Sequence, residues 1–234
     1  MGVYEVRFLD STYCGTQIAS FRFSKPEGYS FEAGQHGVFT LDTAEGRQGK
    51  PFTHAQAPDD PYLEITTRLS GSAFKNALLA LKAGDAVPLT GPRGRLVAPP
   101  DLERVAFLVG GVGITPARSI LRDALHRSRS WVDAVLFFGN RDESCIPYRE
   151  EFEAMRASGV CVVHVLEQAG PDWQGETGFV SAEIVARHAD IADGRLVFVS
   201  GPPVMVDAME RVLDQLGVEP SVRMIERFAA PAGS

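Results

Sequence analysis

The sequence is poor in cysteine, has no long hydrophobic run and carries no basic tract. Its three cysteines, Cys14, Cys145 and Cys161, are too far apart to pair as zinc or iron–sulfur ligands, and its five histidines form no HxH or HExxH pattern. We therefore expect no metal site, and scattered free thiols favour a cytoplasmic location. Since no apolar segment approaches the ~18 residues of a membrane helix, we expect no membrane span. The N-terminus lacks the charged-then-apolar order of a signal peptide.

Charge is unevenly distributed along the chain. The formal net charge is −7, which argues against nucleic acid as a partner. Residues 1–100 contain 10 basic and 10 acidic side chains, whereas residues 101–234 contain 13 basic and 20 acidic side chains. All basic residues of the second part are arginines. This asymmetry predicts two structural units with different surfaces.

The first hundred residues have the pattern of a small antiparallel β-barrel. Short β-rich segments are separated by glycine, proline or acidic residues. One segment, Ala73–Lys82, instead has apolar residues at helical spacing. We predict a six-stranded antiparallel barrel with one helix. The predicted strands are Val3–Leu9, Gln17–Phe23, Gly37–Leu41, Phe52–Gln56, Leu63–Leu69 and Ala86–Thr90.

After Ala98-Pro99-Pro100-Asp101 the pattern changes to alternating strands and helices. Val105–Val109 is a continuous apolar run, as expected for a strand buried on both faces. The alternation predicts an α/β unit with a parallel five-stranded sheet, and we place the two domains at residues 1–99 and 100–234. The predicted strands are Val105–Val109, Ala134–Phe138, Val160–Leu166, Leu196–Val199 and Val222–Ile225, and the helices are Thr115–Arg127, Tyr148–Ala157, Ser181–His188 and Pro203–Leu216.

Glycine-rich turns follow two strands of the predicted sheet. The first strand runs into Gly110–Pro116, which reads GGVGITP, and glycine permits a tight turn close to a ligand. Thr115 suits an N-cap and Pro116 a first helical residue, so this helix start is a candidate phosphate site. Ser200–Pro202 follows another strand at the same sheet edge, where ligands of α/β proteins bind. In the barrel, Ser72 is a candidate cap for the single helix.

Together the motifs resemble those of the ferredoxin–NADP reductase-like flavoproteins, which include NAD(P)H:flavin reductases and oxygenase reductase components. The resemblance covers nearly the whole chain, and the motifs occur in the family's order. In the first half they are Phe31-Glu32-Ala33-Gly34-Gln35, Lys50-Pro51-Phe52-Thr53, Gly71-Ser72-Ala73 and Gly91-Pro92-Arg93-Gly94. In the second half they are Gly110–Pro116, Phe138–Arg141, Tyr148–Glu151, Trp173–Val180, Ser200–Pro202 and Glu226–Phe228.

The resemblance implies an NAD(P)H-oxidising flavoprotein enzyme that positions its cofactors for reaction. It implies FAD on the barrel, with Phe52 against the isoalloxazine ring, Thr53 near N5 and Ser72 at the pyrophosphate. It implies NAD(P)H on the α/β sheet, where the nicotinamide passes a hydride to the flavin. The implied cofactor-binding residues are Lys50, Pro51, Phe52, Thr53, Arg68, Gly71, Ser72, Ala73, Gly110, Gly111, Gly113, Thr115, Pro116, Asn140, Arg141, Gly201, Pro202, Met205 and Phe228. The implied residues of the reaction centre are Thr53, Ser200 and Glu226.

Three residues depart from the family's pattern. Lys50 stands where the family usually has Arg, and a lysine cannot grip a phosphate with a bidentate fork. Phe52 replaces Tyr, which keeps ring stacking but loses a phenolic hydrogen bond. Ser200 replaces a Cys near the nicotinamide. We expect weaker flavin binding and an altered electron-transfer geometry.

The sequence leaves the electron acceptor open. The acceptor is expected to be a separate redox protein or a small molecule, because the chain has no iron–sulfur ligands. Arg118, Arg122, Arg127 and Arg129 form either a basic face for an acidic partner or a solvated helix flank. Two alternatives remain: a free-flavin reductase that uses flavin as a substrate, which Lys50 favours, and an electron-transfer subunit without turnover of its own.

The nucleotide preference depends on two residues of opposite charge. Arg141 is placed to attract the 2′-phosphate of NADPH, whereas Glu167 beyond the third strand would repel it. We predict a preference for NADH with some tolerance of NADPH.

Overall fold

The computed structural model of the protein describes residues 2–128 and 133–228. Within these residues the strands form two six-stranded sheets, of which the first is antiparallel. Its strands are β1 (Gly2–Gly15), β2 (Ile18–Ser24), β3 (His36–Thr43), β4 (Gly46–Thr53), β5 (Tyr62–Arg68) and β6 (Ala86–Arg93), and its helix is α1 (Ala73–Ala80). The strand order is β4-β3-β6-β1-β2-β5.

The long strand β1 makes this sheet curl. Residues Gly2–Arg7 pair with β6, whereas Phe8–Gly15 pair with β2, so β1 belongs to both halves of the barrel. Inward side chains from both halves form one core, in which the Phe23 ring lies 5.7 Å from Phe8 and 5.0 Å from Phe39. The predicted six-stranded antiparallel architecture is confirmed.

The predicted strand Phe52–Gln56 is wrong. The strand of this region is β4, Gly46–Thr53, which begins six residues earlier and ends three residues earlier. It lies at the edge of the sheet, where five of its eight residues are exposed and six are polar or glycine. An edge strand of this kind has no apolar alternation from which its start could be predicted.

The second sheet is parallel, with apolar cores on both faces. Its strands are β7 (Arg104–Gly110), β8 (Asp133–Asn140), β9 (Val160–Leu166), β10 (Glu176–Thr177), β11 (Leu196–Gly201) and β12 (Arg223–Arg227), in the order β10-β9-β8-β7-β11-β12. Its helices are α2 (Ile114–His126), α3 (Arg149–Met155), α4 (Ala182–His188) and α5 (Pro203–Gln215). Nearly all residues of β7 and β11 are buried on both faces, which explains their apolar runs. Phe107 and Phe198 stack on one of these faces with their ring centroids 5.2 Å apart.

The described part of this sheet has six strands, not the predicted five. The additional strand, β10, has two residues that pair in parallel with Val165 and Leu166 of β9. Two residues in a glycine-rich loop show no periodicity, so the sequence could not reveal this strand.

The start of α2 also differs from the prediction. Gly111–Gly113 form a 3₁₀ turn, and the helix continues from it at Ile114. Thr115 is therefore inside the first turn and is not the N-cap, and its Oγ1 donates to the Val112 carbonyl at 3.2 Å. Pro116 is the third helical residue instead of the first.

The connection between the two sheets, residues 94–103, contains neither helix nor strand. The domain limits at residues 99 and 100 stay a prediction that this geometry suits. No helix in the described ranges is long and apolar enough to cross a membrane.

We predict that Gly113→Ala costs about 1–3 kcal/mol of stability, the usual range for overpacking. A Cβ at Gly113 would overlap the main chain of Ser200 and Gly201, which cannot yield easily. The matched control is Gly110→Ala, whose Cβ would overlap the flexible end of Met205. Urea unfolding of both variants measures the difference, and equal losses would contradict the prediction.

Candidate active site

The residues predicted for the reaction centre are connected by a series of neighbour contacts at the junction of the two sheets. Thr53 on β4 is paired with His36 on β3. His36 Nδ1 lies 3.6 Å from Glu226 Oε1, and Glu226 on β12 is paired with Ser200 on β11. The structure therefore brings Thr53, Glu226 and Ser200 together, with His36 between them. Their catalytic roles stay predictions.

The Ser200 hydroxyl holds the neighbouring turn. Ser200 is 1% exposed, and its Oγ donates to the Gly113 carbonyl at 2.6 Å. The side chain thus connects the end of β11 with the 3₁₀ turn after β7. We infer that Ser200 shapes the turn and offers no free hydroxyl to a ligand.

Glu226 and His36 carry polar atoms that lack hydrogen-bond partners among the described residues. These atoms are Glu226 Oε2 and His36 Nδ1. Burial raises the pKa of Glu226, whereas burial and the nearby charge of Arg93 lower the pKa of His36. Buried polar groups without partners are uncommon in proteins and are natural contacts for a ligand. Sequence reasoning missed His36, although it directly follows the Phe31–Gln35 motif.

The barrel offers an aromatic platform beside this junction. The half-buried Phe52 ring stacks on Phe74 of α1 with centroids 5.7 Å apart and an interplanar angle of 28°. Thr53 is buried, whereas Lys50 and Pro51 are exposed. A partly open ring backed by a second ring suits stacking with a planar heteroaromatic group. This geometry fits the flavin ring of FAD.

The start of α1 offers hydrogen-bond donors for an anion. Ser72 occupies the predicted N-cap position, but its side chain makes no capping hydrogen bond. Gly71, with φ of +74°, is exposed and has open space around it. Lys75 lies half-buried near Arg68, and burial and the Arg68 charge lower the pKa of Lys75. First-turn amides and two cations together suit a pyrophosphate.

The turn after β7 and the end of β8 form the second half of the site. Gly111 has φ of +52° and open space around its Cα, whereas Gly110 and Gly113 are packed closely. Asn140, at the end of β8, is buried, and both its amide atoms lack partners among the described residues. Helix N–H groups, a glycine turn and an unpartnered amide at the carboxyl edge of a parallel sheet suit a dinucleotide.

An apolar rim borders the same sheet edge. Met205 packs against Gly110, and Val180 lies near Gly139, which pairs with Gly110. Their chain neighbours Val204 and Phe179 are 82% and 72% exposed. Sequence reasoning placed Phe179 in the Trp173–Val180 motif but gave it no role of its own. It missed Val204, because one exposed apolar residue in the first turn of α5 gives no periodic signal. Pro202 and Phe228 complete the rim, and the Phe228 amide donates to the Gly201 carbonyl at 2.9 Å.

Acidic residues partner the arginines at the outer end of this edge. Arg141 Nε donates to Asp142 Oδ2 at 2.9 Å, and Arg149 donates to Glu143 at 2.8 Å. Hydrogen bonds from Ser144 and Arg141 lower the pKa of Asp142 to about 2. Glu167 is exposed, and its amide donates to the Asn140 carbonyl at 3.0 Å.

The sequence left two alternatives for the arginines of α2, a basic face or a solvated flank, and Arg118 and Arg122 fit neither. Arg118 is 3% exposed, and Arg122 is largely buried in ion pairs with Asp60 and Glu151. Arg127 is exposed but bonded to Asp123, and Arg129 lies outside the described residues. Two of the arginines face the barrel because their helix packs against it, which charge spacing alone cannot reveal.

Comparison with known proteins identifies relatives of the chain. The family profile described as "Oxidoreductase NAD-binding domain" matches residues 107–211. The chain is 30% identical over 228 residues to NADH-cytochrome b5 reductase 1 of Aspergillus terreus, covering 89% of this chain and 76% of that protein. It is also 30% identical over 220 residues to ferredoxin–NADP reductase B of Sorangium cellulosum, covering 89% and 90%.

Solved structures share the fold. A ferredoxin–NADP⁺ reductase of Neisseria gonorrhoeae, solved with bound FAD and NADP, matches with a TM-score of 0.82 at 20% identity, covering 96% of this chain and 98% of that chain. At this identity the match supports the arrangement of the two sheets and does not assign individual residues.

The raised pKa of Glu226 predicts a pH-dependent stability. Burial disfavours the ionised carboxylate in the folded protein, so the pKa of Glu226 is higher in the folded than in the unfolded state. The folded protein therefore loses stability as pH rises from the pKa of the unfolded state through that of the folded state. Glu226→Gln should therefore gain melting temperature over the wild type as pH increases from 4 to about 7. Calorimetry at several pH values measures this, with the exposed Glu27→Gln as control. A pH-independent difference would refute the prediction.

Proposed function

This chain belongs to the ferredoxin–NADP reductase-like family of FAD- and NAD(P)H-dependent oxidoreductases, and from this membership we propose that it is a cytoplasmic NADH-preferring reductase serving a separate electron acceptor. The single observation that carries the proposal is the series of contacts from Thr53 through His36 and Glu226 to Ser200. These contacts join the flavin-side strand to the nucleotide-side edge of the second sheet. Two sites that must exchange a hydride need to meet at such a junction.

Bound FAD would supply the redox chemistry that connects hydride donation by NAD(P)H with electron delivery to the acceptor. The residues of this chain position the reactants. Phe52 supports one face of the flavin ring, and Thr53 offers a hydrogen bond at its edge. Ser72 and the first amides of α1 would hold the pyrophosphate, with Arg68 and Lys75 as the neighbouring cations and Lys50 as the cation of the flavin motif. Phe228 would shield the flavin ring until the nicotinamide takes its place.

The second sheet positions the nucleotide. Gly111 lets the main chain approach the pyrophosphate, and the start of α2 donates to it. Asn140 offers an amide at the end of β8, while Phe179 and Val204 provide apolar contact for the adenine ring. Glu226 and His36 border the nicotinamide, where their unpartnered atoms can hydrogen-bond its amide group. Hydride transfer itself requires no general base.

Two alternatives make different predictions about flavin. In a free-flavin reductase, flavin binds weakly and leaves after reduction. In an electron-transfer subunit, bound FAD is reduced but no acceptor turns over without the rest of the complex. We favour a reductase with resident FAD because the aromatic platform suits its flavin ring and the start of α1 suits its pyrophosphate.

We expect the purified protein to be yellow and to release FAD, not FMN, after acid treatment. Anaerobic NADH should bleach the flavin absorbance, and turnover should follow when ferricyanide is supplied. Chromatography of the released flavin and stopped-flow spectroscopy test these steps. Loss of all flavin on gel filtration, with activity restored by added flavin, would favour the free-flavin reductase.

Lys50→Arg should tighten FAD binding. A bidentate guanidinium replaces a point charge, and charged hydrogen bonds are worth ~1.5–3 kcal/mol. Part of this gain should appear, as a dissociation constant lowered about threefold to tenfold. Fluorescence titration of the apoprotein measures it, with the exposed Lys82→Arg as the control. An unchanged constant would mean that Lys50 does not touch the phosphate.

The wild type should favour NADH over NADPH by ~1–2 kcal/mol in kcat/KM. Asp142→Asn should raise the relative use of NADPH about fivefold, because it frees Arg141 for the 2′-phosphate. Asp123→Asn, which breaks a similar pair on α2, should leave the ratio unchanged. A wild-type preference for NADPH above about a hundredfold would show that a second cation has been missed.

A further inference from the structure

Arg118 and Ser119 connect the nucleotide-side helix to the flavin-side strand. Arg118 Nη1 donates to the Ala55 carbonyl at 2.9 Å, and Ser119 Oγ donates to the Gln56 carbonyl at 2.7 Å. Both donors are fully buried. We call these two hydrogen bonds the α2–barrel contact.

The contact joins the two parts of the site by very short lengths of chain. Ala55 and Gln56 come two and three residues after Thr53 at the end of β4. Arg118 and Ser119 lie about one turn after Ile114, where the glycine turn becomes helix. A change in the contact therefore moves the glycine turn relative to the flavin motif, with few rotatable bonds between them.

A buried network holds the Arg118 side chain in a single geometry. Its Nε donates to Glu151 at 2.9 Å, and its Nη1 lies 3.4 Å from Glu64 of β5. The guanidinium stacks 3.9 Å from the Tyr148 ring centroid, and the Tyr148 hydroxyl donates to Glu64 at 2.7 Å. Ser119 Oγ also accepts from the Gly34 amide at 3.3 Å.

Stability alone is a weak explanation for this arrangement. Buried ion pairs often stabilise a fold no better than apolar residues of the same volume. Tyr148 also adopts a left-handed conformation, with φ of +57°, which costs free energy for a bulky residue. An arrangement that costs free energy and fixes one geometry is expected where that geometry serves the function of the site.

We propose that Arg118 and Ser119 are positioning residues whose hydrogen bonds to Ala55 and Gln56 set the separation of the nicotinamide and the flavin for hydride transfer. The inference rests on the proposed function. It assigns no contact with either cofactor to these residues. Their loss should slow the hydride step and leave the binding of FAD and of the nucleotide nearly unchanged.

The test compares Arg118→Lys and Ser119→Ala with the wild-type holoprotein. Lysine keeps the charge but cannot donate to Ala55 and Glu151 in the same planar geometry. Arg156→Lys is the matched control, since Arg156 forms an exposed ion pair with Glu153. Stopped-flow reduction by NADH and by its 4-deuterated form gives the rate and isotope effect, and titrations with FAD and NAD⁺ give dissociation constants.

A second readout does not depend on activity. Hydrogen–deuterium exchange reports how firmly the amides of residues 54–57 and 111–119 are held. In both variants, exchange should accelerate in these two segments and stay unchanged elsewhere in the two sheets. In Arg156→Lys these segments should exchange as in the wild type.

The expected result is a reduction rate at saturating NADH lowered about tenfold or more in Arg118→Lys and less in Ser119→Ala. Both dissociation constants should stay within about threefold of wild type. Wild-type rates in both variants, or slowing fully explained by weaker binding, would overturn the inference alone. Equal slowing in Arg156→Lys would do the same. If Arg118→Lys does not fold, Ser119→Ala decides.

Failure of the proposed function is distinguishable. In that case the wild type itself would bind no FAD or would not be reduced by either nucleotide, and the inference would fail with it. A reducible wild type whose variants keep its rate leaves the proposed function intact.

Discussion

The candidate site depends on one close approach, that of Gly113 to the main chain of Ser200 and Gly201. No side chain fits between them, so the turn after β7 lies directly on the end of β11. The Ser200 hydroxyl donates a hydrogen bond to the Gly113 carbonyl across this contact. Because β12 pairs with β11, Glu226 then lies beside Ser200 and faces His36 of the barrel. A steric limit at one glycine thus fixes where the nucleotide-side edge meets the flavin-side strand.

The sequence predicts most of the fold because apolar periodicity marks buried elements. Strand β9 is predicted residue for residue, since every residue except His164 is apolar and every residue except Cys161 is buried. The start of β4 could not be predicted, because an exposed edge strand has few apolar residues. Strand β10 could not be predicted either, since its two residues are too few to show a period. The sequence placed the N-cap of α2 at Thr115, whereas a 3₁₀ turn over Gly111–Gly113 leads into the helix at Ile114. Glycines followed by a threonine are compatible with both arrangements, so the sequence does not distinguish them.

Motifs predict which residues gather at the site but do not reveal what each side chain does. Thr53, Ser200 and Glu226 come together as their motifs imply, yet the Ser200 hydroxyl is already bonded to the main chain. Arg118, for which charge spacing left either a basic face or a solvated flank, is buried against the barrel. His36 and Val204 lie outside the motifs, and Phe179 lies in a motif that does not say what its side chain contacts. These outcomes depend on contacts between residues far apart in sequence, which no local pattern encodes.

The α2–barrel contact has an unequal division of chemistry between its two sides. The barrel contributes main-chain carbonyls at Ala55 and Gln56, whereas the helix contributes the side chains of Arg118 and Ser119. Carbonyl acceptors survive amino-acid replacement wherever the new side chain fits, but a side-chain donor is lost with its residue. Sequence drift is therefore tolerated on the barrel side and restricted on the helix side. A chimaera that combines this α/β half with a foreign barrel would inherit the contact, provided the foreign backbone follows the same path.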